Sequence, residues 1–306
     1  MNTNFQKVLN EIEKEIQPYF GRGKIATYIP ALANVPGGKF GIAVKTVAGE
    51  TFSTGDAKEQ FSIQSISKVF TLTLAMKKIG DDLWKRVGKE PSGNSFNSLV
   101  QLESEQGIPR NPFINAGAHV VADCIVSSFE DAKAEILNFV RSLVTNKEIQ
   151  YDDTVAISER DTGFRNTALA NFLRSFGNIQ NAVEEVLDVY FHQCSIRMNC
   201  LEVAEAFLFL ANEGMLPGTK TRILTKRQVK RVNSLMMTCG LYDAVGDFAY
   251  SVGLPGKSGI GGGIVTVLPK KFTACVWSPE LNSAGNSLVG IEALKRLTTK
   301  LGMSVF

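Results

Sequence analysis

The chain has 306 residues, 44% hydrophobic and 21% charged, a globular balance that excludes a disordered or fibrous protein. Its net charge of +3 comes from 33 basic and 30 acidic residues scattered without a basic block, so electrostatic binding of nucleic acid is not expected. Five cysteines, spread through mostly apolar stretches with no Cys-x-x-Cys spacing, predict reduced buried thiols rather than a disulfide framework or a zinc site.

In chain order, residues 1–20 alternate Lys7, Glu11, Glu13, Lys14 and Glu15 with apolar positions. This is an amphipathic helix and not an export leader, which makes the cytoplasm the expected location. Residues 40–54 form two β-rich runs around a Gly turn, a hairpin. From Ser65 to Lys78 the apolar spacing predicts a helix. Residues 90–97 and 107–112 are rich in Pro, Gly, Asn and Ser and predict a long loop region, expected to act as a mobile flap. From Asn115 to about Arg231 the chain is expected to be mostly helical, with segments near 115–128, 130–145, 165–175, 179–193 and 199–213. After the run Gly261-Gly262-Gly263, the segments Ile264–Leu268 and Phe272–Trp277 predict a second strand pair, and a helix follows over about 287–301. No run is long and apolar enough to span a membrane.

An isolated hairpin is only marginally stable, so the early and late strands are expected to share one antiparallel sheet. The expected class is α+β: a single domain over 1–306, with a sheet lobe at about 1–64 and 235–306 with flanking helices, and an all-helical lobe at about 65–234. A cleft between the two is the natural site.

Chemistry centres on Ser65-Ile66-Ser67-Lys68, the one Ser-x-x-Lys in the chain. On a helix, positions i and i+3 share a face. A desolvated, neutral Lys68 could then take the serine proton. The two histidines, His119 and His192, read as structural, and there is no His-Glu-x-x-His metal motif. Lys257-Ser258-Gly259, directly before the glycine run, is the type of strand that lines the cleft opposite the nucleophile in Ser-x-x-Lys acyl hydrolases. The overlapping stretch from Ser251 to Ser258 nearly fits a phosphate-binding loop, but it lacks the first glycine and precedes a strand pattern rather than a helix.

The segments Tyr28-Ile29-Pro30, Gln64 to Lys68, Val87 to Gly93, Asn111 to Ala118, Ser158-Glu159-Arg160 with Arg165-Asn166, Gly253 to Gly259, and Trp277 to Leu281 resemble, in order, those of the serine-dependent glutaminases. The resemblance runs from about Tyr28 to the end of the chain. It implies a fold like that of β-lactamases and DD-transpeptidases, L-glutamine as substrate, and no metal or organic cofactor. It also implies residue roles. Ser65 is the nucleophile and Lys68 its base. Tyr190 and Tyr242 are active-site tyrosines that carry a proton to departing ammonia. Tyr28, Gln64, Asn115, Glu159 and Asn166 hold the substrate. Ile260, where many relatives have Val, offers its amide to the oxyanion beside that of Ser65. Relatives are commonly dimers or tetramers, so a homo-oligomer is expected, without the ankyrin repeats of longer animal relatives.

Without the resemblance, each residue has a plainer reading. Asn115 would cap a helix, Glu159 would pair with Arg160 or Arg165 at the surface, and the two tyrosines would pack in a core. Three rivals remain. A penicillin-recognising hydrolase would use Ser92-Gly93-Asn94 or Ser95-Phe96-Asn97 as its middle motif. A non-catalytic protein could bind an amino acid in the same cleft. An amidase could prefer asparagine, one methylene shorter, a difference worth only about 1–3 kcal/mol in a pocket.

Overall fold

The computed structural model describes residues 4–93 and 98–306. Among the described residues seven strands run in chain order: β1 (Gly41–Thr46), β2 (Thr51–Gly55), β3 (Phe61–Ser62), β4 (Arg197–Met198), β5 (Gly256–Ser258), β6 (Gly263–Leu268) and β7 (Phe272–Trp277). Five form one antiparallel sheet in the order β2-β1-β7-β6-β5. The predicted joining of early and late strands is therefore present: β1 lies directly on β7, with Ile42 opposite Val276 and Val44 opposite Ala274. Strands β3 and β4 make a separate pair, Phe61 opposite Met198.

Alternation along the strands gives the sheet two apolar faces. Ile42, Val44, Ile264, Ala274 and Val276 point to one face, where they are covered by the helix Phe5–Glu15 and the helix Leu288–Leu301. Phe5, Leu9 and Ile12 supply the stripe of the first helix, and Val289, Ala293, Leu294 and Leu297 that of the last. Spacings of three and four residues place each set on one side of its helix. Ala43, Val265, Val267, Cys275 and Trp277 point to the other face and join the larger core of the helical region. The helix Cys200–Ala211 packs there on β1, β6 and β7. It is buried almost all round, as a helix between a sheet and other helices must be.

The expected helices near 115–128, 130–145, 165–175, 179–193 and 199–213 appear as Asn115–Val126, Ala132–Ser142, Phe164–Ser175, Val183–Cys194 and Cys200–Ala211. The region expected as loop contains a short helix, Leu99–Ser104. Its described parts are tied together: Gly88 N donates to Pro109 O at 2.7 Å, Glu90 N to Arg110 O at 2.8 Å, and Asn111 Nδ2 to Glu90 O at 2.9 Å. Residues 94–97, which carry the candidate middle motif of the penicillin-recognising reading, lie outside the described residues. The near phosphate-loop is not one: Gly256–Ser258 is a strand paired with β6, not the entry to a helix.

All five cysteines are free and buried. No helix among the described residues is long and apolar enough to cross a membrane.

Candidate active site

The helix predicted over 65–78 begins differently. Gln64–Ser67 forms a 3₁₀ turn, and the α-helix runs Lys68–Ile79. In a 3₁₀ turn, residues three apart eclipse, so Ser65 and Lys68 still share a face. Gln64 takes a left-handed φ of 49°, sparsely populated by non-glycine residues, and Ser67 Oγ donates to Gln64 O at 2.7 Å to close the turn. The turn packs directly on the glycine-rich crossover between β5 and β6. A Cβ on Gly259 would lie 2.5 Å from Ile63 O, and one on Gly261 would lie 2.5 Å from Ser62 O. Glycine at these two positions is what lets the backbone on either side of Ile260 approach the serine turn.

Lys68 is fully buried. Its Nζ donates to Phe113 O at 3.0 Å and to Asn115 Oδ1 at 2.7 Å, and lies 5.8 Å from the Tyr190 ring centre. The two acceptors of Lys68 Nζ are thus a backbone carbonyl and an amide oxygen, neither of them on Ser65. It is Tyr242 whose hydroxyl contacts the Ser65 and Ser258 side chains. Burial lowers the Lys68 ammonium to about 8, against the smaller raising effects of Cys194 and Glu159.

The Asn111-to-Gly117 segment shows why that motif is needed. Asn111 Oδ1 accepts from Phe113 N at 3.0 Å and Ile114 N at 3.1 Å. A Cβ at Gly117 would sit 1.9 Å from Asn111 O. This tight turn aims Phe113 O at Lys68. Asn115 is not the helix cap: Ile114 occupies that position, and Asn115 is the first helical residue. Its side chain bridges Lys68 and Asn166, donating through Nδ2 to Asn166 Oδ1 at 2.9 Å.

Glu159 lies on Asp153–Thr162, a helix that sequence periodicity missed. Of its buried side chains, Val155 and Ala156 are apolar and the third is Glu159 itself, too few for a helical stripe. The available signal was Asp152, whose Oδ1 caps the helix at Val155 N. Glu159 is not the surface partner of Arg160, which pairs with Asp161. Burial raises its carboxyl to about 7, opposed first by a hydrogen bond from Gln64 and then by the Lys68 charge. Tyr190 is buried on the helix Val183–Cys194, and burial holds its phenol well above the ordinary value. Tyr242 also takes a left-handed φ, 55°, and burial pushes it up to about 12 despite its contacts with Ser65 and Ser258.

These groups converge on one cleft of about 530 Å³, lined by Tyr28, Gln64, Ser65, Asn115, Glu159, Asn166, Tyr190, Tyr242 and Ile260, while Lys68 is buried and joined to the lining through Asn115. Tyr28 stands at the mouth, 58% exposed. Its segment is held by Glu280, whose Oε2 accepts from Gly21 N at 2.8 Å, and by paired backbone bonds between Lys24 and Leu281.

Sequence reasoning gave no site role to several lining residues, among them Arg165, Cys194, Asp243 and the Leu281–Gly285 loop. It also gave no individual role to Lys257. That side chain is fully buried, donates to Ser258 O at 2.6 Å, and lies 4.9 Å from the Tyr242 ring centre. Burial, then the Lys68 charge, lowers it well below the ordinary amine range. Neither histidine lines the cleft. His119 stacks edge-on against Tyr190 at 4.5 Å, and His192 Nδ1 is bonded to Asp188 O. No group of described His, Cys, Asp or Glu residues is arranged to hold a metal ion.

An antiparallel sheet flanked by helices, with the Ser-x-x-Lys turn set against a Lys-Ser-Gly strand, defines the β-lactamase-like class. Within that class the Glutaminase family model matches residues 23–306. The chain belongs to the glutaminase family and is a hydrolase of that family. It is 57% identical over 304 residues to the glutaminase of Aliarcobacter butzleri (strain RM4018), a match spanning 99% of this chain and 100% of that one. It is 54% identical to the glutaminase of Paraburkholderia phytofirmans (strain DSM 17436 / LMG 22146 / PsJN), over 99% and 100% of the two chains. The solved probable glutaminase ybaS superposes with a TM-score of 0.94 at 37% identity, over 100% of this chain and 99% of that one. The probable glutaminase from Bacillus subtilis complexed with 6-diazo-5-oxo-L-norleucine superposes with a TM-score of 0.87 at 31% identity, over 100% and 97%.

Proposed function

We propose that this glutaminase converts L-glutamine to L-glutamate and ammonia through an ester on Ser65. Ser65 Oγ attacks the carboxamide carbon while its proton passes to neutral Lys68. The oxyanion is received by the backbone amides of Ser65 and Ile260. The C–N bond breaks as the leaving nitrogen takes a proton by way of Tyr190 or Tyr242, releasing ammonia. Water then attacks the γ-glutamyl ester, returning a proton to Ser65 Oγ and freeing glutamate. Glu159 receives the substrate α-ammonium, and Tyr28, Asn115 and Asn166 offer donors to its α-carboxylate. Gln64 completes this wall.

The observation that carries the reading is the division of charge in one cleft. A buried lysine, three residues on from the serine, is bonded to the cleft residue Asn115, and a buried carboxyl, Glu159, lines the same chamber. An amide substrate with a free α-ammonium fits that division. The glutamine analogue complexed with the Bacillus subtilis relative supports the same substrate class. We place the enzyme in the cytoplasm, where five free thiols are stable, and expect a homo-oligomer, dimer or tetramer, because symmetric assembly is common among soluble enzymes.

Ammonia release from L-glutamine and L-asparagine tests the substrate. Specificity, as kcat/KM, is expected to favour glutamine by about 10–200-fold, the range one methylene can command. Equal or better turnover of asparagine would overturn the assignment.

A further inference from the structure

Glu280 does not line the cleft, yet both ends of the segment that carries Tyr28 meet its carboxylate. At the first end, Oε2 accepts from Gly21 N at 2.8 Å and from Gly23 N at 3.4 Å. Hydrogen bonds from backbone amides to an ionised carboxylate are of the stronger kind. Gly23 crosses so closely that a Cβ there would lie 2.8 Å from Glu280 Cβ and 2.9 Å from Leu281 O. At the far end the backbone of Gly37 passes against the other carboxylate oxygen: a Cβ there would lie 2.8 Å from Glu280 Oε1. One side chain thus closes a loop over residues 21–37.

Between its ends the loop is tied at two further points. Lys24 and Leu281 exchange backbone hydrogen bonds at 2.9 and 2.8 Å. Ala31 N, in the short helix Pro30–Ala33, donates to Ser158 Oγ at 3.2 Å, and Ser158 directly precedes Glu159 in its helix. Ala26, Ile29 and Leu32 form a small apolar cluster with Leu281, and Ile260 packs at its edge. Tyr28 stands between the two ties. Its side chain is more than half exposed, so the backbone on either side, rather than enclosure of the ring, sets where its hydroxyl reaches.

We propose that Glu280 is a positioning residue that acts through Tyr28. By closing the 21–37 loop it sets the spacing between Tyr28 and Glu159, the receivers of the substrate α-carboxylate and α-ammonium. The proposal rests on the role given to Tyr28 above. Because Glu280 lies outside the cleft, and Lys68 keeps its bonds to Phe113 and Asn115 without it, its loss falls on substrate binding and not on the chemical step. Such a loss raises KM and leaves kcat nearly unchanged.

The test is a double-mutant cycle on L-glutamine hydrolysis with Tyr28→Phe and Glu280→Ala, each variant also followed by thermal unfolding. Tyr28→Phe is expected to raise KM about tenfold, the worth of one hydrogen bond to a charged group. Glu280→Ala is expected to raise KM by a similar factor, about tenfold, with kcat within about threefold of wild type. The double variant should exceed Tyr28→Phe by no more than about twofold in KM, since Glu280 has no other route to the substrate. Glu280→Gln keeps an acceptor for Gly21 and Gly23 and should hold KM within about threefold of wild type. Gly37→Ala presses on the carboxylate from the other end without removing a partner. It should raise KM about threefold alone and add nothing to Tyr28→Phe. An unaltered KM in Tyr28→Phe overturns the role of Tyr28 and the proposal with it. With Tyr28→Phe impaired, three results overturn the role of Glu280 alone: a folded Glu280→Ala of normal KM, a loss confined to kcat, or effects that multiply in the double variant. If Glu280→Ala does not fold, the cycle of Tyr28→Phe with Gly37→Ala decides on the same terms.

Discussion

Replacing Ser65 with Ala is expected to lower kcat on L-glutamine by about 10⁴-fold or more, with KM changed only slightly. The oxygen that would carry the γ-glutamyl ester is gone, while every other group lining the cleft remains. Residual rate would come from the two backbone amides and from substrate positioning. Stability should move by no more than about 1 kcal/mol, because the Tyr242 hydroxyl keeps its contact with Ser258. Ammonia release measured beside thermal unfolding separates the two effects. A folded variant retaining a tenth of wild-type kcat would mean that another group attacks the amide.

The second large effect is expected at Lys68. Lys68→Met should lower kcat by about 10³-fold and remove a pH dependence that wild type shows. A base must be neutral to accept the serine proton. With Lys68 lowered to about 8 by burial, kcat should fall about tenfold per pH unit below that value and level off above it. The same shift acts on stability. In the unfolded chain the amine keeps a pKa near its ordinary value, so folding favours the neutral form. Burial of Lys68 therefore destabilises the fold below about pH 8, and this cost fades as pH rises toward about 10.5. In the methionine variant the charge penalty is removed, but Phe113 O and Asn115 Oδ1 lose their donor. The two changes oppose each other, and net stability should shift by about 1–2 kcal/mol at most near neutral pH. A wild-type kcat flat across pH 6 to 9, or a Lys68→Met variant of near-normal rate, would remove the lysine from the chemistry.

Much of this architecture was legible because the sheet writes its pattern in the residues. Strand alternation in 40–54 and 264–277, with an isolated hairpin too weak to stand alone, was enough to place the early and late strands in one sheet; that β1 is the strand beside β7 is seen only in the pairing itself. The Ser-x-x-Lys spacing was legible for a reason that did not depend on helix type, since residues three apart share a face in both the expected α-helix and the observed 3₁₀ turn. Gly259 was visible as the end of the Lys-Ser-Gly motif and Gly261 as the start of the glycine run. Only the packing shows that each admits the backbone of the serine turn.

The rest was hidden by the physics of the site itself. The helix bearing Glu159 buries a carboxyl where periodicity looks for an apolar stripe. Asn115 has the composition of a cap, but its side chain is drawn inward by Lys68 and Asn166. Left-handed Gln64 and Tyr242 carry no glycine to announce their backbone. Lys257 looked like one half of a strand motif. Its burial against Tyr242 depends on strand pairing that brings β5 over the helical region.

The central claim, that Ser65 Oγ is the atom that bonds to the substrate, is tested most directly by covalent labelling. In 6-diazo-5-oxo-L-norleucine the ketone carbon takes the place of the glutamine carboxamide carbon, and the diazo carbon that of its nitrogen. Protonation of that carbon and loss of dinitrogen leave it open to attack by the nucleophile. Incubation followed by peptide mass mapping is expected to find one adduct, on Ser65, absent in Ser65→Ala. An adduct on another side chain with Ser65 unmodified, or full inactivation of wild type with no covalent adduct, would contradict the account.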